Sequence, residues 1–286
     1  MQESPVIDPA VRQGLPHALQ AMGAIVWREV LKFVRQRSRL VSALVRPLLW
    51  LAVFAAGFRN VFGVAIVEPY DTYVSYDTYI APGLVGMVLL FNGMQSSLAM
   101  VYDREMGLMR LLLTAPLPRA WILLSKLVAT AVLSLAQAAA FVAVAALLGT
   151  GLPLFGPQTP HVLLAALAAA LMLGALGLLL SVHIKQLENF AGTMNFVIFP
   201  MYFMSTALYP LWKLEESGAG WVYQVARINP FTHAVEWLRF ALYGKDPGIS
   251  PWVVLGTLAL CFALACWGYD PQRGFGALAK RPGAAS

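Results

Sequence analysis

Charge is scarce in this 286-residue chain: Asp, Glu, Lys and Arg together make up 12% of it, where an ordinary soluble domain carries nearer a quarter. With 59% hydrophobic residues and a mean hydropathy of +0.68, the composition excludes a water-soluble domain and reads as an all-α integral membrane protein. Cysteine is nearly absent. Cys261 and Cys266 lie in one apolar run, where a helix turns them to different faces, so no disulfide or metal framework follows. The four histidines, His17, His161, His183 and His233, have no companion at metal-ligand spacing, and no metal site is expected. No G-x-x-x-x-G-K-[ST] occurs, so the chain has no phosphate-cradling loop and is not an enzyme that hydrolyses ATP unaided.

The basic balance, with a pI of about 9.4, suggests nucleic acid only at first sight. The lysines and arginines are grouped beside apolar spans rather than along a groove-lining stripe, which makes them topological signals and excludes a nucleic-acid partner. Residues 1–18 contain Pro5, Pro9, Gly14 and Pro16 and lack the pattern of a signal peptide, so they read as a flexible cytoplasmic arm. From 19 to 40, Ile25, Val26, Leu31, Phe33 and Val34 interleave with Arg28, Lys32, Arg35, Arg37 and Arg39. This is a basic amphipathic helix at the inner membrane surface, apolar face toward lipid.

Six apolar stretches follow, at about 40–58, 80–101, 121–149, 161–182, 190–212 and 251–268, within a transmembrane domain over 19–268. The first holds Arg46, expected to snorkel toward the headgroups from its basic end. The loop after it carries Glu68, Asp71 and Asp77 with Tyr70, Tyr73, Tyr76 and Tyr79, an outer loop with an aromatic belt. The middle of the second span sets Asn92, Gln95 and Ser96 on one face; the fifth aligns Asn195, Phe199, Tyr202 and Thr206. Such faces look at another helix or at a transport path. Gly174 and Gly177 in the fourth span let backbones approach closely. Between the fifth and sixth spans, Asn229-Pro230 opens a helix that Gly244 stops, too short to cross a bilayer, with Glu236 and Arg239 spaced to pair. An interfacial or re-entrant helix is the economical reading. Residues 269–286 form a tail. Thirteen lysines and arginines fall on one side of this layout and five on the other, placing both termini in the cytoplasm.

The stretch around which this layout is organised is Tyr102 to Lys126. Asp103, Arg104 and Glu105 lead an apolar and basic run containing Met106, Gly107, Arg110 and Leu112, closed by Pro116 and Pro118. The order describes a short cytoplasmic helix with acid at its start and proline at its end.

On these residues the chain resembles the membrane subunits of ABC-2 type exporters, the family that includes daunorubicin-type drug, nodulation-factor and polysaccharide exporters. The most specific parts are Asp103 to Pro118 after the second span and Asn229-Pro230-Phe231 through Glu236, Arg239 and Gly244 before the sixth. The resemblance implies that 102–118 is a coupling helix seated on a separate ATPase, which binds the ATP and magnesium this chain does not. It implies a second copy of the chain, or a homologous permease, two ATPase copies, short re-entrant outer helices and a path near spans two and five. The function implied is that of a permease exporting a lipid, glycan or amphipathic drug-like substrate across a bacterial inner membrane. The alternatives are a secondary transporter, against which stands the lack of Asp or Glu at mid-depth in any span, and a membrane enzyme acting on lipid-like substrates, for which His233 with Glu236 is the one pair at helical spacing.

Overall fold

A computed structural model describes residues 15–35, 41, 45–53, 69–70, 76–106, 118–147, 156–184, 186–216, 218 and 220–269. Among these the chain is all-helical: α1 Leu15–Arg35, α2 at 45–53, α3 Tyr76–Glu105, α4 Arg119–Leu147, α5 Thr159–His183, α6 Leu187–Phe203, α7 Leu211–Glu216, α8 Gly220–Ile228, α9 Pro230–Leu242 and α10 Ser250–Gly268. Four of them, α3, α4, α5 and α10, are long and apolar enough to cross a membrane. Of the first expected span the structure describes 41 and 45–53; residues 36–40 of the amphipathic stretch lie outside the described residues, and its helix starts earlier than expected, at Leu15.

Helices α3 and α5 form the centre, and glycine is the reason they can. A Cβ placed on Gly177 would stand 2.8 Å from the Gly93 carbonyl oxygen and 2.5 Å from Ser97 Oγ; one on Gly93 would stand 3.0 Å from the Leu173 carbonyl. The two backbones therefore touch where the sequence has no side chains to hold them apart. On the other side of α3, Asn92 donates to Ser134 Oγ at 2.7 Å, and Gln137 Nε2 donates to Asn92 Oδ1 at 2.8 Å. These buried amides fasten α3 to α4 at the middle of both helices. Helix α10 covers α5 with one face and leaves the other bare: Trp252 is 75% and Trp267 86% exposed. They lie about 22 Å apart along the axis at 1.5 Å per residue.

The fifth expected span, 190–212, is not one helix. Helix α6 ends at Phe203, with Pro200 in its last turn, and the backbone unwinds over 204–210 before α7 begins. Free carbonyls are costly in an apolar medium, and here each of several has a donor. Tyr76 and Tyr79 hydroxyls donate to Leu208 O at 2.9 Å and Thr206 O at 3.0 Å. Arg239 Nη2 donates to Thr206 O at 2.8 Å, and Asn229 Nδ2 to Met201 O and Met204 O, both at 2.8 Å. Tyr76 and Tyr79 are thus buried on the first turn of α3, not part of a lipid-facing belt. Tyr70 is buried beside them, its ring 4.9 Å from that of Tyr243, and burial above all pushes its phenol up to about 12.

Filling the α3–α5 seam should separate the helices. Gly177→Leu is expected to lower stability by about 1–3 kcal/mol, the usual cost of overpacking, whereas Gly192→Ala, which meets nothing within 4 Å, is not. Thermal melting of both variants in mild detergent, followed by tryptophan fluorescence, checks this; equal melting temperatures would contradict the seam.

Candidate functional site

At the end of the bundle where α3 stops and α4 starts, five charged side chains from three helices meet. Asp103 Oδ2 lies 3.0 Å from Arg28 Nη2 and 3.1 Å from Lys126 Nζ, and its Oδ1 lies 3.2 Å from Lys32 Nζ. Glu29 Oε1 closes the group, 3.1 Å from Arg28, 3.8 Å from Lys32 and 3.9 Å from Lys126. Asp103 and Lys126 are 2% and 7% exposed, while Arg28 and Lys32 reach water. Helix α1 supplies three of the five because Arg28, Glu29 and Lys32 share the side of α1 that faces α4; Trp121 Nε1, donating to Ala18 O at 2.8 Å, fixes that docking further along. A cavity of about 420 Å³ opens beside the cluster, with Lys32, Asp103 and Lys126 at one end and Ser96, Thr130 and Asn92 at the other.

The expected coupling residues divide. Asp103, Arg104 and Glu105 do not start a separate helix; they are the last turn of α3, because nothing in YDRE interrupts the helix before the turn at Met106. Glu105 Oε1 accepts from the Leu187 backbone N–H at 2.9 Å, so the same turn holds the first residue of α6. A carboxylate at a free helix N–H is favourable on both hydrogen-bond and dipole grounds. Met106 is 58% exposed. Gly107, Arg110, Leu112 and Pro116 lie outside the described residues. Segment 107–117 is thus framed by helix ends bonded to α1 and α6.

The two polar faces divide as well. Asn92 is buried against α4, whereas Gln95 and Ser96 are half-buried. Asn195 and Phe199 are exposed on α6, while Tyr202, near the arc that carries the buried Ile198, is itself buried. Thr206 falls beyond the helix, buried in the unwound segment, so the four do not share one face. Helix α9 begins behind Asn229, whose side chain accepts from the Phe231 N–H, with Pro230 in its first turn, and the chain leaves it through Gly244 at φ 64°. Arg239 is buried, paired with Glu236, and its guanidinium lies 4.1 Å over the Tyr79 ring. His233 sits between Ser250 Oγ at 3.2 Å and the Arg227 carbonyl at 3.1 Å. Both members of the His233–Glu236 pair therefore have structural partners.

Sequence reasoning missed three things here. Lys126, within the third apolar stretch, is the buried partner of Asp103; Glu105 reaches α6; and α8 precedes α9. The alternation of Trp221, Val225 and Ile228 with polar residues was the available signal for α8.

A sequence model of the ABC-2 type transporter family matches residues 20–243. The transport permease ycf38 of Pyropia yezoensis is 30% identical over 82% of this chain and 79% of its own length. The inner membrane transport permease YadH of Escherichia coli strain K12 is 25% identical over 90% of this chain and 96% of its own. A daunorubicin resistance ABC transporter permease protein, DrrB1 of Streptomyces coeruleorubidus, is 23% identical over 89% and 88%.

Removing one member of the Asp103–Lys126 pair leaves the other charged and buried, at a cost of about 3–5 kcal/mol, while removing both is far milder. Asp103→Asn and Lys126→Met should each melt well below the parent and the double variant should recover most of the loss. Additive losses in this double-mutant cycle would show that the pair does not couple.

Proposed function

The chain belongs to the ABC-2 type transporter family, and from that membership we propose that it is the membrane-spanning permease of an ATP-driven exporter, energised by a separate ATPase. Its helices are those of a membrane transport component, and the relatives are named as transport permeases. What supports the ATPase reading is one arrangement: the helix ends that frame 107–117 are bonded through Asp103 to α1 and α4, and through Glu105 to α6. A partner that pushed on this segment would move four helices at once. Without a phosphate-binding loop in the sequence, the energy has to come from the partner: ATP and its magnesium are held there, in two ATPase copies acting on two permease copies. ATP binding draws the two coupling segments together and the spans open outward, a shift for which the differential contact is the partner's.

In this reading six spans cross an inner membrane over 19–268, the arm, 102–118 and the tail face the cytoplasm, and α7 to α9 form the re-entrant outer layer. The buried network of Arg239, Tyr79 and Thr206 supports such a layer, since it closes off backbone groups that a bilayer could not. Gln95 and Ser96 with Asn195 and Phe199 are the residues of the path, for a lipid, glycan or amphipathic substrate.

The test is co-expression with ATPases encoded beside the gene, purification in mild detergent and reconstitution. An ATPase is expected to copurify. Glu105→Ala and Arg110→Glu should leave the chain in the membrane while ATP hydrolysis drives flux at less than a tenth of the parental efficiency. Capture of no ATPase, or coupling untouched by both substitutions, would sink the proposal; flux driven by a proton gradient alone would put a secondary transporter in its place.

A further inference from the structure

Arg46 stands out among the chain's membrane cations. Its guanidinium lies 4.2 Å over the ring of Phe91, the middle of α3, so it sits at mid-bundle height rather than at the headgroups where its sequence position suggested it would snorkel. Lys126 has Asp103 and Arg239 has Glu236. Among the described residues no carboxylate comes within ion-pair distance of Arg46, and none of the six apolar stretches contains an Asp or Glu that could. A second copy of the chain, having the same spans, would bring none at that depth either.

The magnitudes do not balance internally. An arginine at the centre of a bilayer costs at least about 2.5–3.5 kcal/mol, and a cation–π contact returns about 0.5–2 kcal/mol. The polar groups nearby are neutral: Asn92, Gln95 and Gln137 line a small cavity with Arg46, beside Met87, Val88 and Phe91, with room for about one water. Asn92 also lines the 420 Å³ cavity that reaches the charged cluster at the inner end. Polar groups therefore line the cavities from Lys32 and Lys126 to Arg46. On the open side of α2, Val45, Leu49 and Val53 are 42%, 60% and 56% exposed and fall four residues apart, an apolar stripe beside the cation.

We infer that Arg46, assisted by Gln95, is the recognition point for an anionic headgroup, phosphate-like or carboxylate, of an amphipathic substrate whose chain lies along Val45, Leu49 and Val53. The inference rests on the transport reading and narrows it, since a cationic amphipath would be repelled at this point. A planar guanidinium offers paired donors to such an anion, and in a medium without water the charge-assisted bonds are strong.

The full-length chain in phosphatidylcholine nanodiscs would be titrated with dodecyl phosphate, dodecyltrimethylammonium and inorganic phosphate, reading tryptophan fluorescence, to which Trp50 on α2 contributes. Dodecyl phosphate should bind saturably, at least tenfold more weakly to Arg46→Gln and by an intermediate amount to Arg46→Lys, while the ammonium amphipath gives no saturable response. Lys213→Gln, distant from α2 in sequence and outside the cluster, should bind as the parent does. Should Arg46→Gln fail to give monodisperse protein, Arg46→Lys carries the test, because it keeps the charge and loses the fork. Parental affinity in a folded Arg46 variant, or saturable binding of the ammonium amphipath, would overturn the inference. Inorganic phosphate binding as tightly as dodecyl phosphate would overturn its amphipathic part and assign a free anion. An ATPase that copurifies while dodecyl phosphate ignores Arg46 defeats this inference alone; absence of any ATPase defeats the transport reading and leaves anion binding to be read on its own.

Discussion

Asp103 carries the inner half of the molecule, because a carboxylate 2% exposed at the end of a membrane helix holds its place only through the cations around it. Lys126 is the most buried of them, 7% exposed and 3.1 Å from the carboxylate, so each of the two charges offsets the other's desolvation most. Arg28 and Lys32 reach water and contribute less each, yet they decide geometry, since they bring α1 against the junction of α3 and α4. An amphipathic helix at a membrane surface is free to slide in the plane of the interface. Bonded to Asp103 and, through the Trp121 indole, to the backbone at Ala18, this one is part of the bundle.

The same constraint acts at the opposite end with different chemistry. Where α6 breaks, backbone carbonyls rather than charges need partners, and phenols, an amide and a guanidinium from α3, the α8–α9 junction and α9 supply them. One consequence is that α3 and α6 are joined at both ends, by Glu105 at Leu187 and by Tyr79 at Thr206, while their middles touch mostly through apolar side chains. Displacement of the inner end of α3 is therefore passed to α6 as a body. The exposed side of α6, with Asn195, Phe196 and Phe199, moves with it.

How much of this the sequence disclosed follows from what periodicity can see. Helix positions, the Asn229 cap, the stop at Gly244 and the Glu236–Arg239 pair are local, set by neighbours within a turn, and the residues there point to them directly. Gly174 and Gly177 were legible as packing positions because small residues in a membrane helix have few other uses. The break after Phe203 was not legible: Pro200 hints at it, but the partners that make an unwound segment tolerable come from residues up to 132 positions away. Asp103 and Lys126 are 23 apart with a loop between them, and Glu105 and Leu187 are 82 apart, so no helical spacing relates them. The aromatic run Tyr70 to Tyr79 reads as a lipid-interface belt on composition, whereas the Tyr76 and Tyr79 hydroxyls turn inward because the unwound carbonyls of Leu208 and Thr206 accept from them.

Three cations lie inside the apolar part of this chain, and the contrast among them carries functional meaning. Lys126 and Arg239 each have an acid from the same chain, and a paired charge in a low-dielectric core is close to neutral for stability; the Asp103–Lys126 pair also fixes that α3 meets α4. Among the described residues Arg46 has no acid of this kind. It lies over a ring face and shares a small cavity with the amides of Asn92, Gln95 and Gln137, which compensate only part of its desolvation. A purely structural role at that position would be met better by an apolar side chain, as along the rest of α2. A cation left without its counter-charge at mid-depth gains most from an anion that is not covalently part of the protein, and such an anion is free to leave again when the helices around it move.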